Sequence, residues 1–318
     1  MPLLEALAAK LAGRPIALCD ANDVDGIASA ALFKRAHPDG HVELMGPSDV
    51  KRKWWVKLIE WDFVADLPCP GRAKIRADHH ETNRPCAEAE FYDPEAPASA
   101  VLAAKALGLE DDDVAKQLVE AAVQTDTANV ADPKIKLLDL AIRYASDSER
   151  VAAVEKLAQR GLAALDEEPL RSMAERGVQR DRLVAQIANS IPAEERLFIY
   201  SPTKLGISYR ALAIELEKKG ARFVNILVRR GWRTYRLYCG AHRDSPYDCT
   251  EVAMRLGGGG HKYAAGALFK APLLSPLKPL FDMIQQLKPS VVYVLGSCNN
   301  LKLPCRSIEV MSRGSNEQ

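Results

Sequence analysis

Short apolar runs alternate, along the first third of the chain, with stretches whose apolar residues recur every three or four positions. This is the pattern of strands and crossover helices in a mostly parallel sheet. Ile16-Ala17-Leu18-Cys19 reads as a buried strand, Asp20 to Gly26 as a polar turn and Ile27 to Arg35 as an Ala/Leu-rich helix. Phe63-Val64-Ala65-Asp66 and Lys74-Ile75-Arg76-Ala77-Asp78-His79-His80 are short runs that stop on acid or imidazole. Val114, Leu118, Val119, Ala122 and Val123 mark one face of a helix that ends at Thr125-Asp126-Thr127. Residues 152–188 are Ala/Leu/Glu/Arg-rich without glycine clusters and predict helices, and Pro192 with Glu194-Glu195-Arg196 reads as a boundary. Beyond it, Leu197 to Tyr200 and Phe223 to Val228 predict strands and Tyr209 to Lys219 a helix. Arg230-Gly231 turns a hairpin into Trp232 to Tyr238. No internal repeat is present, and the polar stretch after Asn299 predicts a loosely ordered tail.

The expected fold class is therefore α/β: an N-terminal mostly parallel sheet flanked by helices (1–150), a helical connector (151–192), a smaller C-terminal α/β domain (193–290) and a tail (291–318). With 318 residues, 47% of them hydrophobic and 27% charged, the chain can bury a full core, which excludes disordered and fibrous classes. No run approaches the roughly 18 apolar residues of a membrane span, and the N-terminus lacks a basic region followed by an apolar one. A cytoplasmic protein with no membrane partner is expected. Seven cysteines (Cys19, Cys69, Cys86, Cys239, Cys249, Cys298 and Cys305) include no C-x-x-C pair and read as free thiols. The net charge of +1 hides an asymmetry: 19 Lys/Arg against 10 Asp/Glu from residue 191 onward, and 24 against 32 before it. An acidic first part suits metal binding and a basic second part a polyanion, although ordinary solvated charge gives the same counts.

Asp20, Asp23, Asp25, Asp66, His79, His80 and Asp126 all sit where a regular element starts or ends. Taken singly, Asp23 or Asp25 could cap the following helix and Asp66 could open a turn. Taken together, acids after three parallel strands converge on one sheet edge, the place where open α/β sheets bind ligands. Carboxylates that close raise one another's pKa unless cations compensate them. Carboxylate plus imidazole donors suit two divalent ions, Mn²⁺ foremost with Mg²⁺ or Co²⁺ as alternatives, and such a pair suits phosphoester hydrolysis.

Asp23-Val24-Asp25-Gly26-Ile27-Ala28-Ser29-Ala30, Asp66-Leu67-Pro68, Asp78-His79-His80 and Thr125-Asp126-Thr127 resemble the four ordered motifs of the DHH phosphoesterase superfamily. That superfamily holds RecJ-type exonucleases, nanoRNases, cyclic-dinucleotide phosphodiesterases and family II pyrophosphatases. Gly257-Gly258-Gly259-Gly260-His261-Lys262-Tyr263-Ala264-Ala265-Gly266 resembles the signature of its nucleotide-cleaving branch, which argues against pyrophosphate as substrate. The resemblance implies Asp23 and Asp66 on one cation, and Asp25, Asp66, His79 and Asp126 on the other. It also implies that Asp78 orients His79 and that His80 faces the phosphate or its bridging water. Asp20 stands where many members carry histidine; it is expected to join the ligands, with a role in holding or capping a neighbour as the alternative.

The substrate side is read from Gly258, Gly259, Gly260, His261 and Lys262, whose backbone amides, imidazole and ammonium suit a phosphate, and from Arg236 and His242. Arg229, Arg230, Trp232, Arg233, Tyr235 and Arg236 mix cations with stacking surfaces as single-strand binders do; in a hairpin only alternate residues share a face. Lys51-Arg52-Lys53-Trp54-Trp55 reads instead as an amphipathic helix burying one Trp. The short chain favours a few nucleotides over long strands. The expected function is a Mn²⁺-dependent phosphodiesterase or exonuclease that cuts short single-stranded RNA or DNA to 5′-mononucleotides, with a homodimer as a possible assembly. The alternatives are a phosphatase of phosphoadenosine phosphate, a cyclic-dinucleotide phosphodiesterase, and a non-catalytic nucleic-acid-binding subunit of a repair or replication assembly.

Overall fold

The first unit is built on a parallel five-stranded sheet. The structure, a computed structural model, describes residues 2–298 and 304–310, and the chain divides between Val178 and Gln179 into two compact units. The first holds α1 (Pro2–Leu11), β1 (Ile16–Asp20), α2 (Val24–Ala36), β2 (His41–Met45), α3 (Pro47–Arg52), β3 (Glu60–Ala65), β4 (Arg72–Asp78), β5 (Ala87–Tyr92), α4 (Ser99–Ala106), α5 (Asp113–Asp126), α6 (Pro133–Arg143) and α7 (Asp147–Arg160). Helix α8 (Leu170–Ser190) runs across the division. Strand order is β2-β1-β3-β4-β5, so the chain turns to opposite sides of β1 on leaving β1 and β2, which leaves a crevice at the strand ends between β1 and β3.

Alanine explains how tightly the helices pack. Helix α2 is buried from Val24 to Lys34, and Ala28, Ala30 and Ala31 let α5, α7 and α4 approach it closely. A helix buried on all sides needs no polar face, which is why its sequence reads Ala/Leu-rich. Lys34, caught in that burial, reaches the carbonyls of Pro38 (2.8 Å) and Gly40 (2.9 Å). The other sheet face packs Trp61, Val64 and Leu67 with Ala6 and Ala9 of α1.

The second unit holds β6 (Arg196–Ser201), α9 (Tyr209–Lys218), β7 (Phe223–Arg229), β8 (Thr234–Ala241), α10 (Cys249–Arg255), β9 (Gly259–His261), β10 (Ala264–Lys270), α11 (Lys278–Leu287), β11 (Val292–Leu295) and β12 (Cys305–Ile308). They form a mixed sheet in the order β12-β11-β6-β7-β8-β10-β9, parallel from β12 to β7 and antiparallel beyond. No described helix is long and apolar enough to cross a membrane.

Several expectations change. The span 151–192 holds the end of α7, which packs on α2, then a 3₁₀ turn and α8, and the division between the units falls inside α8. The span 291–318 is not simply a tail: Val292 to Leu295 is fully buried and pairs with β6, and β12 extends the sheet. Residues 299–303 and 311–318 of that expected tail lie outside the described residues. Cys69 and Cys86 are not free thiols but form a disulfide, Cα to Cα 5.9 Å. They are 17 residues apart in sequence, yet they lie in the loops that follow β3 and β4, which are sheet neighbours. The other five cysteines are free. The Lys51–Trp55 stretch is broken at Lys53 between α3 and a 3₁₀ turn, leaving Trp54 exposed and Trp55 packed on the core.

Candidate metal centre

Strand β1 delivers Asp20 to the sheet edge, and the turn after it brings two more acids. The Asp23 side chain caps α2 by accepting the Gly26 N–H at 3.1 Å, so the capping alternative holds for this residue. Asp20 accepts from the Asn22 backbone N–H (2.9 Å) and side-chain amide (2.8 Å) through Oδ1, leaving its second oxygen outside this turn. Gly26 permits the crossing: a Cβ there would lie 2.3 Å from the Asp20 carbonyl oxygen. Asp25 caps a different helix. Its two oxygens accept the N–H groups of Ser99 (2.7 Å) and Ala100 (2.8 Å) at the start of α4, whose own N-cap residue, Ala98, has no side chain to do so.

Asp66 follows β3 with φ +57°, a left-handed conformation that Asp tolerates better than most residues. The Ser99 hydroxyl donates to its Oδ1 at 3.0 Å. His79 bonds the Ala96 carbonyl through Nδ1 at 3.0 Å. A carbonyl only accepts, so Nδ1 carries a proton and Nε2 is the ring nitrogen turned to the carboxylates. That Nε2 lies 3.6 Å from Asp126, 3.9 Å from Asp66 and 4.0 Å from Asp25. His80 Nδ1 lies 2.9 Å from Asp78 and 3.5 Å from Asp66. Asp78 therefore orients His80 and not His79, which corrects the expectation; the backbone of Ala96 has that task. Asp78 itself is fully buried.

Among the described residues, three triplets bring one donor atom from each residue within 4.8 Å of one another: Asp20, Asp23 and Asp66; Asp25, His79 and Asp126; Asp66, His79 and His80. Shared Asp66 and His79 join the three into one cluster holding all seven singled-out residues. Burial and neighbouring acids set its electrostatics. Burial, then Asp23, pushes Asp20 up to about 7. Burial likewise pushes Asp25 up to about 7 against the pull of the Ala100 and Ser99 amides, raises Asp23, and with Asp25, Asp23 and Asp20 drives Asp66 well above the carboxylate range. Burial opposes the charge on Asp78 too, but His80, Asn83 and Arg76 outweigh it and hold that carboxyl low. The hydrogen bond to Asp78 in turn raises His80. Crowded carboxylates that resist ionisation, beside an imidazole that turns Nε2 toward them, fit hard divalent cations.

In the second unit the glycine run is not an open loop. Gly259 to His261 is β9, paired to β10 through Gly259 with Gly266, Gly260 with Ala265 and His261 with Ala264. A Cβ on Gly258 would lie 2.1 Å from the Gly266 carbonyl oxygen, and Gly260 has φ +145°, so close backbone approach requires both glycines. His261 and His242 line one cavity of about 470 Å³; Gly259 and Arg236 line another of about 280 Å³. Lys262, at the hairpin turn, is exposed and holds its ammonium 5.7 Å from the Tyr263 ring centre. Of the basic-aromatic group, Tyr235 is buried and donates to the Pro276 carbonyl (2.8 Å), and Arg229 bonds the Gly231 and Trp232 carbonyls across the turn. Arg236 faces the other side, over the ring of Tyr238.

No protein-family model matches the chain, and no curated protein does. Solved structures do. A pGpG-specific phosphodiesterase, PggH from Vibrio cholerae, is 17% identical over 86% of this chain and 99% of its own, with a TM-score of 0.63. The DHH domain of a member of the s1p family of ribosomal proteins is 14% identical over 91% of this chain and 93% of its own, with a TM-score of 0.57. RecJ from Thermus thermophilus, in complex with Mg²⁺, is 17% identical over 88% of this chain, which spans 50% of the RecJ chain, with a TM-score of 0.52. The chain has the DHH fold.

Within this DHH fold, four residues that hold the centre together leave little trace in the sequence. Ser99 and Ala96 act in part through backbone groups, which have no side-chain signature. Asn83 donates to Asp78 Oδ2 at 2.8 Å. Arg76, two positions before Asp78 on one face of the strand, was not singled out from the sequence. It is fully buried, bonds Asp78 at 2.7 Å and Glu90 at 3.0 Å, and reaches the Leu67 carbonyl at 3.4 Å. Removing one partner of a buried ion pair leaves the other charge uncompensated, so Arg76→Ala is expected to lower unfolding free energy by about 3–5 kcal/mol. Denaturant unfolding of the metal-free protein checks this; a loss under about 1 kcal/mol, the range of an exposed pair, contradicts it.

Proposed function

We propose that the chain is a metal-dependent phosphodiesterase that hydrolyses short single-stranded oligonucleotides to 5′-mononucleotides. The observation that carries the reading is the set of three overlapping donor triplets at the ends of β1, β3, β4 and α5. Asp20, Asp23 and Asp66 would hold one divalent cation, and Asp25, Asp66, His79 and Asp126 the second, with Mn²⁺ preferred to Mg²⁺ or Co²⁺ on donor hardness and the imidazole. When bound, the two cations supply charge neutralisation and Lewis acidity toward a phosphodiester and its attacking water. The chain's own residues do the rest. Ala96 orients the His79 ring, Ser99 and Ala100 fix the Asp25 and Asp66 carboxylates, and Asp78 holds the half-exposed His80 and favours its protonated form, which would bind a phosphate oxygen.

The likeness to a pGpG-specific enzyme over 86% of this chain and 99% of that one supports substrates of two to five nucleotides. Purified protein with Mn²⁺ and end-labelled RNA and DNA of that length, pGpG included, is expected to release mononucleotides. Intact substrate with every cation tested overturns the reading and favours a nucleic-acid-binding subunit. Inorganic phosphate from phosphoadenosine phosphate, without dinucleotide cleavage, moves it to a phosphatase.

A further inference from the structure

The two connections that start at the candidate metal centre carry no helix. Parallel strands are ordinarily joined by a crossover of about a dozen residues or more, most often helical, yet here β3 passes to β4 through residues 66–71 and β4 to β5 through residues 79–86. Each connection must run back along the sheet. Ala65 is level with Ala77 and Glu60 with Arg72, while Asp78 is level with Tyr92 and Ala73 with Ala87. At about 3.3 Å per strand residue that return is about 17 Å, besides the step sideways to the next strand. The chain from Ala65 to Arg72 reaches at most about 25 Å, so the first connection has little slack, and Leu67 and Pro70 within it are buried. From Asp78 to Ala87 the reach is about 32 Å, which leaves the second connection slack. Its residues Glu81, Thr82, Arg84 and Pro85 are exposed.

Proposed metal ligands stand at the head of both. Asp66 opens the taut connection, and His79 and His80 open the slack one. The slack connection is hydrogen-bonded to its surroundings through His79 to the Ala96 carbonyl, His80 and Asn83 to Asp78, and the Cys86 N–H to Glu90. The Cys69–Cys86 disulfide then ties its far end to the taut connection and closes a ring around β4. Without that bond, Asn83 and the Cys86 amide alone restrain the segment that follows His80. Both cysteines are half-buried, within reach of a small thiol. We propose that the Cys69–Cys86 disulfide is a redox-sensitive clasp on the metal centre, whose reduction loosens the connection carrying His79 and His80 and weakens divalent-cation binding. A small dithiol is the reductant: the S–S bond breaks, two electrons and two protons pass to Cys69 and Cys86, and the dithiol closes to its own disulfide. An oxidised dithiol reverses the step. The inference rests on the metal-dependent reading for its ligand and adds a control that none of the donor residues contains.

The test compares the two forms of the full chain. A peptide map is expected to join Cys69 to Cys86 after incubation with an oxidised dithiol and to find both as thiols after reduction with a phosphine. In EDTA, cutting after the exposed Glu81 by a glutamate-specific protease is expected to be about tenfold faster in the reduced form, since cleavage follows the population of the opened segment. Mn²⁺ titration, read by the paramagnetic resonance of the free ion, is expected to give a Kd about tenfold weaker in the reduced form, the low end for losing an outer support of a metal ligand. Cys86→Ser, or Cys69→Ser should the first fail to fold, is expected to match the reduced parent and to ignore the phosphine. Cys298→Ser, which alters a thiol of the second unit, is expected to respond as the parent does. Absence of the Cys69–Cys86 crosslink, protease cutting that is equal in both forms, or loss of the response in Cys298→Ser overturns the clasp. Mn²⁺ bound equally by both forms overturns the clasp and leaves the metal-dependent reading standing, whereas Mn²⁺ bound by neither form overturns that reading as well.

Discussion

Asp66→Asn is expected to abolish hydrolysis, lowering kcat/KM by about 10³-fold or more, while leaving the metal-free protein at least as stable as the parent. Asp66 is the residue common to both proposed cation sites, and its carboxylate stands in the donor triplet with Asp20 and Asp23 and in the one with His79 and His80, so its loss weakens both sites. The stability half of the expectation separates a metal ligand from an ordinary buried acid. Asp66 lies among Asp20, Asp23 and Asp25, and burial with those neighbours drives its carboxyl well above the carboxylate range. An amide of the same shape removes that repulsion, can still accept from the Ser99 hydroxyl, and is among the few side chains that tolerate φ +57°. Steady-state assays with Mn²⁺, together with thermal unfolding in EDTA, test both halves. Hydrolysis equal to the parent would remove Asp66 from the centre; a large loss of metal-free stability would make it a structural residue.

What the sequence revealed, and what it concealed, follows from where each interaction is made. Asp20, Asp66 and Asp78 were legible because a buried apolar strand rarely stops on an acid unless the sheet edge puts that acid to use. The parallel order of the strands then brings those acids to one edge. Partners made by backbone were invisible: nothing in Ala96 or Ala100 announces a carbonyl for His79 or an amide for Asp25. Strand β5 was missed because Ala87-Glu88-Ala89-Glu90-Phe91-Tyr92 is a half-exposed edge and carries no apolar run. The opposite error befell β11: Val291 to Leu295 is an apolar run, but polar residues after it made the whole segment look like a tail. The disulfide was lost for a related reason, since Cys69 and Cys86 become neighbours only through the pairing of β3 with β4.

Cation removal should make stability depend on pH with a definite sign. Asp20 and Asp25 have carboxyls pushed up to about 7 by burial, against about 3.9 in an unfolded chain. Between roughly pH 4 and 7 the folded, metal-free protein therefore binds more protons than the unfolded chain, and unfolding free energy falls as pH rises through that window. One carboxyl shifted by about three units contributes about 4 kcal/mol, and mutual repulsion makes the cluster less than additive. The melting temperature in EDTA is expected to drop by about 5–10 °C from pH 5 to pH 8, since 1 kcal/mol moves a unit of this size by about 2–4 °C. Mn²⁺ at about 100 times its Kd adds about 2.7 kcal/mol and should restore most of that loss at pH 8. At pH 5 the same cation must displace protons, so its effect should be small, and titration calorimetry near pH 6 in buffers of different ionisation enthalpy should register proton release on binding. The same scan on Asp66→Asn should show a flatter pH profile and little response to Mn²⁺. Metal-free stability that rises from pH 5 to pH 8, or Mn²⁺ stabilisation that is equal at both, would mean that these carboxylates are neither crowded nor relieved by a cation.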